Sequence, residues 1–280
     1  MNGPIDPSPP PRGEGRISSR DESGEARAES GEGGVDRVLF DHIAIALPRM
    51  ADAAPFLSGE LGGVPDAGQP SGLFTWGTYR FEGGGSIEIM EPAGPSGFLH
   101  RFLSERGAGI HHLTFKVPSV AEACARAESA GYGIVGRDDS DPEWKEAFLH
   151  PKQALGIVVQ FAEPGLPHAG SRPMVPPRGM PGAPPPVNVL GLRMRCQSVE
   201  RAMTQWKTVL QGTATKGPRG ELVFSWPGSP MRLAVEIDPV QNEGPIAIEL
   251  ASRRPLSLTV GPHPVLGTVF REEEMSSYTS

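Results

Sequence analysis

Cysteine is scarce: Cys124 and Cys196 are the only two in 280 residues. Two thiols cannot build a disulfide framework, and neither sits at a spacing that zinc sites use. They are expected to be buried, reduced thiols of a cytoplasmic protein. A basic excess is lacking too. With 26 Lys and Arg against 33 Asp and Glu, the formal net charge is −7. Sequence-independent nucleic-acid binding needs a basic surface to release counterions, so that class is excluded. No apolar run reaches the ~18 residues of a membrane span, and the amino terminus lacks the basic-then-apolar pattern of a signal peptide. The expected partner is a small molecule, not nucleic acid or a membrane.

Glycine and proline are plentiful, at 36 and 31 residues, and they punctuate the chain. Residues 1–36 hold almost no large apolar side chain and cannot offset their ordering entropy, which predicts a disordered tail. Residues 164–186 (including PPRGMPGAPPP) read as a semi-extended linker. These breaks separate a central block, 37–163, from a carboxy-terminal block, 187–270, with a short tail over 271–280.

The central block repeats itself. Its first copy, about 41–92, opens with an alternating strand (DHIAIAL) that starts at Asp41-His42. A helix over Arg49–Leu61, interrupted by Pro55, should follow, then strands over Gly72–Phe81 and Ser86–Met90 around the turn at Gly83–Gly85. The second copy, about 108–163, opens with the strand His111–Val117. Its Ala-rich helix, Val120–Ala130, has Ser119 as a cap and Gly131 as a stop. Strands near Gly133–Val135, Glu146–His150 and Gly156–Phe161 complete it. Both copies read β-α-β-β-β.

Each copy places a histidine on its first strand and an oxygen donor on its last. His112 lies 70 residues after His42 (112 − 42), and Gln160 lies 72 after Glu88 (160 − 88). Paired about a pseudo-twofold axis, such modules would turn His42, Glu88, His112 and Gln160 into one cavity. Two imidazoles and two oxygen donors suit one divalent ion (Co, Mn, Ni, Zn or Fe), and affinity order does not choose among them. Strand alternation sends His111 to the face opposite His112, so a structural role is expected for it. The carboxy-terminal block reads as a degraded third copy, in which Gly191 matches His42 and Val235 matches Glu88, with no ligands. Gly244–Leu250 would open a fourth.

Several motifs resemble the methylmalonyl-CoA epimerase branch of the vicinal oxygen chelate superfamily. They are Gly107–Val117 (GAGIHHLTFKV), Phe148–Lys152 (FLHPK), Gly156–Gln160 (GIVVQ), Asp41–Ala46 (DHIAIA), Ile87–Pro92 (IEIMEP) and the connecting helix Phe98–Leu103. The resemblance covers about 120 residues. It implies an α+β fold in which paired βαβββ modules form a cupped, partly open mixed barrel around a metal, with the third module degenerate. It also implies a metal-dependent isomerase or lyase acting on a small substrate such as an acyl-CoA through a metal-bound enolate, and it admits a homodimer.

Carried over, the metal ligands fall on His42, Glu88, His112 and Gln160, where the last departs from the expected glutamate. A second family carboxylate would fall on Thr75. Glutamine and threonine do not ionise, so Glu88 is the expected proton-transfer residue. Glu82, Glu91 and Glu146 are read as ordinary turn or surface carboxylates. The HPK turn makes His150 and Lys152 candidate substrate-binding residues. The alternative reading is a non-catalytic, drug-sequestering binder of the same fold; a dioxygenase, which normally uses two histidines and one glutamate around Fe²⁺, is a third.

Overall fold

A computed structural model describes residues 35–81, 84–165, 182 and 184–273. The expected tail up to residue 34, most of the linker, residues 274–280 and Glu82 lie outside the described residues.

The first half runs β1 (Leu39–Ala46), a 3-10 turn (Met50–Ala53), α1 (Ala54–Leu57), β2 (Val64–Ser71), β3 (Phe74–Arg80) and β4 (Ser86–Pro92). The helix α2 (Phe98–Arg106) connects it to the second copy. That copy comprises β5 (Gly109–Lys116), α3 (Val120–Ser129), β6 (Ile134–Asp138), β7 (Trp144–Leu149) and β8 (Val158–Pro164). All eight strands form one curled sheet in the order β2-β3-β4-β1-β5-β8-β7-β6. The copies meet where β1 pairs antiparallel with β5, while β4 runs parallel to β1 and β8 parallel to β5. This is the α+β arrangement of paired βαβββ modules.

Local chemistry accounts for the elements. In α3 the Ser119 hydroxyl accepts from the Glu122 amide, and Val120, Ala123, Cys124 and Ala127 bury one face at helical spacing. The helix expected over Arg49–Leu61 is shorter and broken. Pro55, which has no amide hydrogen, sits in the first turn of α1, so it starts that helix instead of interrupting a longer one. Strand β2 (VPDAGQPS) escapes sequence reading because it contains two prolines. It lies at the sheet edge, where a missing N–H is tolerated.

The second half repeats the plan: β9 (Asn188–Cys196), α4 (Val199–Ala202) continuing as a π-helical segment over Met203–Val209, β10 (Thr213–Lys216), β11 (Leu222–Ser225), β12 (Arg232–Ile237), β13 (Gly244–Ala251) and β14 (Phe270–Glu272). Their order is β10-β11-β12-β9-β13-β14. Strand β12 is parallel to β9, β13 antiparallel to it, and β14 parallel to β13. The fourth copy is therefore present as two strands, joined by residues 252–269 without a helix.

Both central pairings carry bulges on either side of a three-residue stretch, which fixes their equivalence. His42 and Ala44 face Thr114 and His112; Gly191 and Arg193 face Glu249 and Ala247. Ala44 faces Glu88 across β4, and Arg193 faces Ala234 across β12. Gly191 thus matches His42, as expected. The residue matching Glu88 is Ala234 rather than Val235, whose side chain is buried in the apolar core.

One apolar cluster joins the two halves. Phe40 stacks on Phe115 at 4.9 Å, and Trp226 meets their rings at 5.9 and 4.8 Å. Both cysteines are buried free thiols. Among the described residues, no helix is long and apolar enough to cross a membrane.

Candidate metal centre

Strands β1, β4, β5 and β8 carry His42, Glu88, His112 and Gln160, and all four side chains line one cavity of about 490 Å³. Each is buried, with 6–8% exposure. Donor atoms of His42, Glu88 and His112 lie within 4.8 Å of one another. The Glu88 carboxylate stands 3.7 Å from His42 Nε2 and 3.9 Å from His112 Nε2. Two donors each about 2.0–2.2 Å from one cation are at most about 4.4 Å apart, so either imidazole can share a cation with Glu88. The residues therefore fit a divalent ion.

The residue before each histidine orients it. Asp41 bonds His42 Nδ1 at 2.8 Å and is itself paired with Lys116 Nζ at 2.8 Å. His111 Nδ1 lies 3.0 Å from His112 Nδ1. Both arrangements occupy Nδ1 and turn Nε2 toward the cavity, the usual outer support of a metal-binding imidazole. The Thr114 hydroxyl lies 2.8 Å from His42 Nε2, and a bound ion would have to take its place there. Sequence reading placed His111 on the opposite face. The structure corrects this: Ala44 pairs with His112 and Ile45 with Ile110, so His111 is the extra residue of a β-bulge. The bulge breaks alternation and turns His111 into the same cavity, against Phe98 and Phe102.

Charge states follow from burial and neighbours. Burial opposes ionisation of Asp41, yet its bond to His42 and the charges of His42 and Lys116 hold its carboxyl far below the usual range. Burial also opposes charge on His42, but Glu88 and Asp41 raise its pKa above 6.5. Burial, with Arg106 nearby, pushes His111 down to about 4. Burial and the other two histidines hold His112 well below 6.5. His112 is thus neutral at neutral pH, as a ligand must be, and a cation at His42 would replace a proton.

Gln160 joins the group through hydrogen bonds at both ends of its amide. Thr114 donates to Gln160 Oε1 at 2.6 Å and lies 2.8 Å from His42 Nε2. Gln160 Nε2 donates to Glu146 Oε2 at 2.7 Å, which also accepts from Trp144 Nε1 at 3.1 Å. Glu146 is therefore no surface carboxylate: it is buried on the cavity wall. Its neighbour in β7, Ala147, faces the core, an alternation that distinguishes it from a turn residue once the strand is known. Glu91 has a local task, accepting from the Met50 amide at 2.6 Å.

The other expectations fare differently. Along β3, Phe74, Trp76 and Thr78 line the cavity, so alternation puts Thr75 on the far side of the sheet. His150 and Lys152 are not among the lining residues; His150 Nδ1 accepts from the Lys152 amide within the turn after β7. Phe98, Trp144 and Phe148 extend an aromatic wall, and Pro230 from the β11–β12 turn closes one side. Gly84 permits that approach, since a Cβ there would lie 2.7 Å from Pro230 Cβ.

Residues 41–148 match the family model described as the Glyoxalase/Bleomycin resistance protein/Dioxygenase superfamily. Over these residues the chain resembles that superfamily. The uncharacterized protein YqjC of Bacillus subtilis (strain 168) is 26% identical over 134 residues, covering 45% of this chain and 91% of the relative. Among solved structures, methylmalonyl-CoA epimerase from Mycobacterium tuberculosis is 25% identical, with a TM-score of 0.42, over 45% of this chain and 87% of its own. A mutant 4-hydroxymandelate synthase from Streptomyces coelicolor is 13% identical with a TM-score of 0.53, over 77% of this chain and 71% of its own. The last comparison is one of fold only.

Proposed function

We propose that the protein is a metal-dependent isomerase or lyase, most like a methylmalonyl-CoA epimerase. The observation that carries this reading is the convergence of His42, Glu88 and His112, with Gln160 beside them, in one walled cavity. These four residues would hold one divalent ion, which supplies Lewis acidity toward a carbonyl oxygen. Their donor set does not select among Co, Mn, Ni, Zn and Fe.

The chain's own groups do the rest. Aromatic side chains exclude water from a bound acyl group. Removal of a proton next to a carbonyl and its return on the other face need two groups that exchange protons. Gln160 is not one of them. Glu88 on β4 is the proton-transfer residue, and Glu146 on β7 is a second buried carboxylate facing the same cavity. A CoA moiety extends beyond a cavity of about 490 Å³, and exposed Lys152 offers it a cation.

A second reading rests on one feature: the three converging ligands are two imidazoles and one carboxylate, a set that Fe²⁺ dioxygenases use. Metal-loaded protein in D₂O distinguishes the two. The first reading expects solvent deuterium at the α-carbon of methylmalonyl-CoA, abolished in Glu88→Gln. Fe²⁺-dependent oxygen consumption favours the second. Protein that holds metal but exchanges with no acyl-CoA or 2-oxo acid and consumes no oxygen is a binder.

A further inference from the structure

We propose that Glu146 is a positioning residue of the metal centre: it fixes the Gln160 amide so that its oxygen faces the two histidines and Glu88, making Gln160 a fourth ligand. This rests on the reading of those residues as a metal site.

An amide has two ends of similar size, but only its oxygen has a lone pair for a cation; the nitrogen is a donor. Left alone, Gln160 could present either end. Glu146 removes that freedom, because a carboxylate only accepts hydrogen bonds. It takes the Gln160 Nε2 hydrogen at 2.7 Å, turning the nitrogen toward β7. At the other end the Thr114 hydroxyl donates to Gln160 Oε1 at 2.6 Å, a bond consistent with the orientation that Glu146 sets. Thr114 stands 2.8 Å from His42 Nε2, so this end of the amide is the one beside the imidazoles. An amide oxygen has two lone pairs, and Thr114 occupies one. The Trp144 indole, donating to the same Glu146 oxygen at 3.1 Å, fixes the carboxylate in turn. Glu146 and Gln160 are each 6% exposed, so bulk water has little access to these bonds.

The test is Co²⁺ binding to the full chain, read as affinity by chelator competition and as the visible absorption spectrum of the bound ion. Wild type is expected to bind one ion per chain. Glu146→Leu should weaken binding about tenfold or more, the usual effect of losing an outer-shell partner. Its spectrum should change as in Gln160→Ala, and the double variant should bind no more weakly than Gln160→Ala alone. Glu146→Gln should stay close to wild type, because its own amide oxygen can accept from Gln160.

Glu146→Leu that keeps wild-type affinity and spectrum overturns the assignment. So does Glu146→Gln as weak as Glu146→Leu, which would mean that charge acts and not orientation, or losses that add in the double variant. If Glu146→Leu does not fold, Glu146→Ala carries the same expectations. Wild type that binds no Co²⁺ overturns the metal-site reading together with this one, whereas the variant outcomes touch Glu146 alone.

Discussion

In the first sheet, the pairing of β1 with β5 and β4 gathers His42, His112 and Glu88. In the second, the equivalent pairing of β9 with β13 and β12 gathers Gly191, Ala247 and Ala234, and Arg271 stands where β8 carries Gln160. Charge nevertheless persists at this level of the second sheet. Glu249 occupies the place of Thr114, and Arg193 that of Ala44. Arg193 Nε donates to Glu249 Oε1 at 2.6 Å, and Arg232 Nη1 donates to Glu249 Oε2 at 2.6 Å. Glu236, Glu221 and Glu273 stand around Arg193 at 3.1, 3.4 and 3.7 Å. Burial opposes the Arg193 charge, but these carboxylates hold it firmly protonated. The contrast teaches how one scaffold settles buried carboxylates in two ways. The second sheet pairs them with guanidinium groups tethered to its own chain, whereas the first leaves space and donors that suit a cation from outside.

The largest effect should come from breaking the tethered network. Glu249→Ala leaves the Arg193 and Arg232 guanidinium groups in a buried site without their shared partner. Removing one member of a buried pair typically costs about 3–5 kcal/mol, to be read from denaturant unfolding. In the first sheet His42→Ala should cost less without metal, roughly 1–2 kcal/mol, since Asp41 keeps Lys116 as a partner and the vacated space opens on the cavity. It should instead abolish metal-induced stabilisation, about 2.7 kcal/mol at a hundredfold excess of metal over Kd. Equal losses in the two metal-free variants would erase the distinction between a closed network and an open site.

A smaller effect tests why the second sheet has no ligand at the position of His42. Gly191 has φ 132°, and a Cβ there would lie 1.8 Å from the Arg232 carbonyl oxygen. No side chain fits without moving β9 away from β12. Gly191→Ala should therefore lower stability by about 1–3 kcal/mol, the range for a strained backbone position, with the clash adding to it. A neutral Gly191→Ala would show that β9 yields easily, and that only the missing imidazole separates the two sheets.

Much of this architecture is legible in the residues. Alternation along DHIAIA and HHLTFKV gives the central strands, and the spacing of His42, Glu88, His112 and Gln160 gives the cavity's donors. What escaped has identifiable physical causes. Strand β2 contains two prolines and lacks an apolar rhythm because it is an edge. His111 was misplaced because a bulge inserts one residue into an otherwise regular alternation, and bulges have no fixed sequence mark. The resemblance puts a family carboxylate at Thr75, but alternation along β3 turns its neighbour Trp76, and not Thr75, to the cavity wall. Glu146 looked like surface because its partners, Gln160 and Trp144, are recruited by sheet pairing and by a strand whose start was placed two residues late. Asp41 was overlooked although adjacency to His42 was its signal, one that His111 repeats beside His112.

The smallest effect separates the sheets by acidity. His111 is buried against Phe98 and Phe102, and its folded-state pKa is pushed down to about 4 from an ordinary 6.5. As pH falls below 6.5, the unfolded chain takes up a proton that folded His111 refuses, so metal-free protein loses stability. The slope is about 1.4 kcal/mol per pH unit for one such group between about 6 and 4. His112, also depressed, acts in the same direction. His42 acts in the opposite sense: its pKa is raised, so its contribution is present below 6.5 and fades as pH rises through the folded value. In the second sheet burial raises the Glu221 pKa, but backbone hydrogen bonds and Arg193 lower it more, leaving it below 4.5. Its contribution therefore persists above 4.5 and is lost only as pH falls through that lowered value. The upper part of the acid window should thus belong mainly to the first sheet, with His263 of the second half, whose pKa burial also lowers, acting in the same direction. His111→Phe keeps an aromatic ring beside Phe98 and Phe102 and removes one titrating group, so it should make the stability profile between pH 6 and 4.5 less steep, leaving the share of His112. It should leave the loss below 4.5 in place. A His111→Phe profile as steep as that of wild type would show that His111 is not the source of this acid sensitivity, leaving it to His112 and His263.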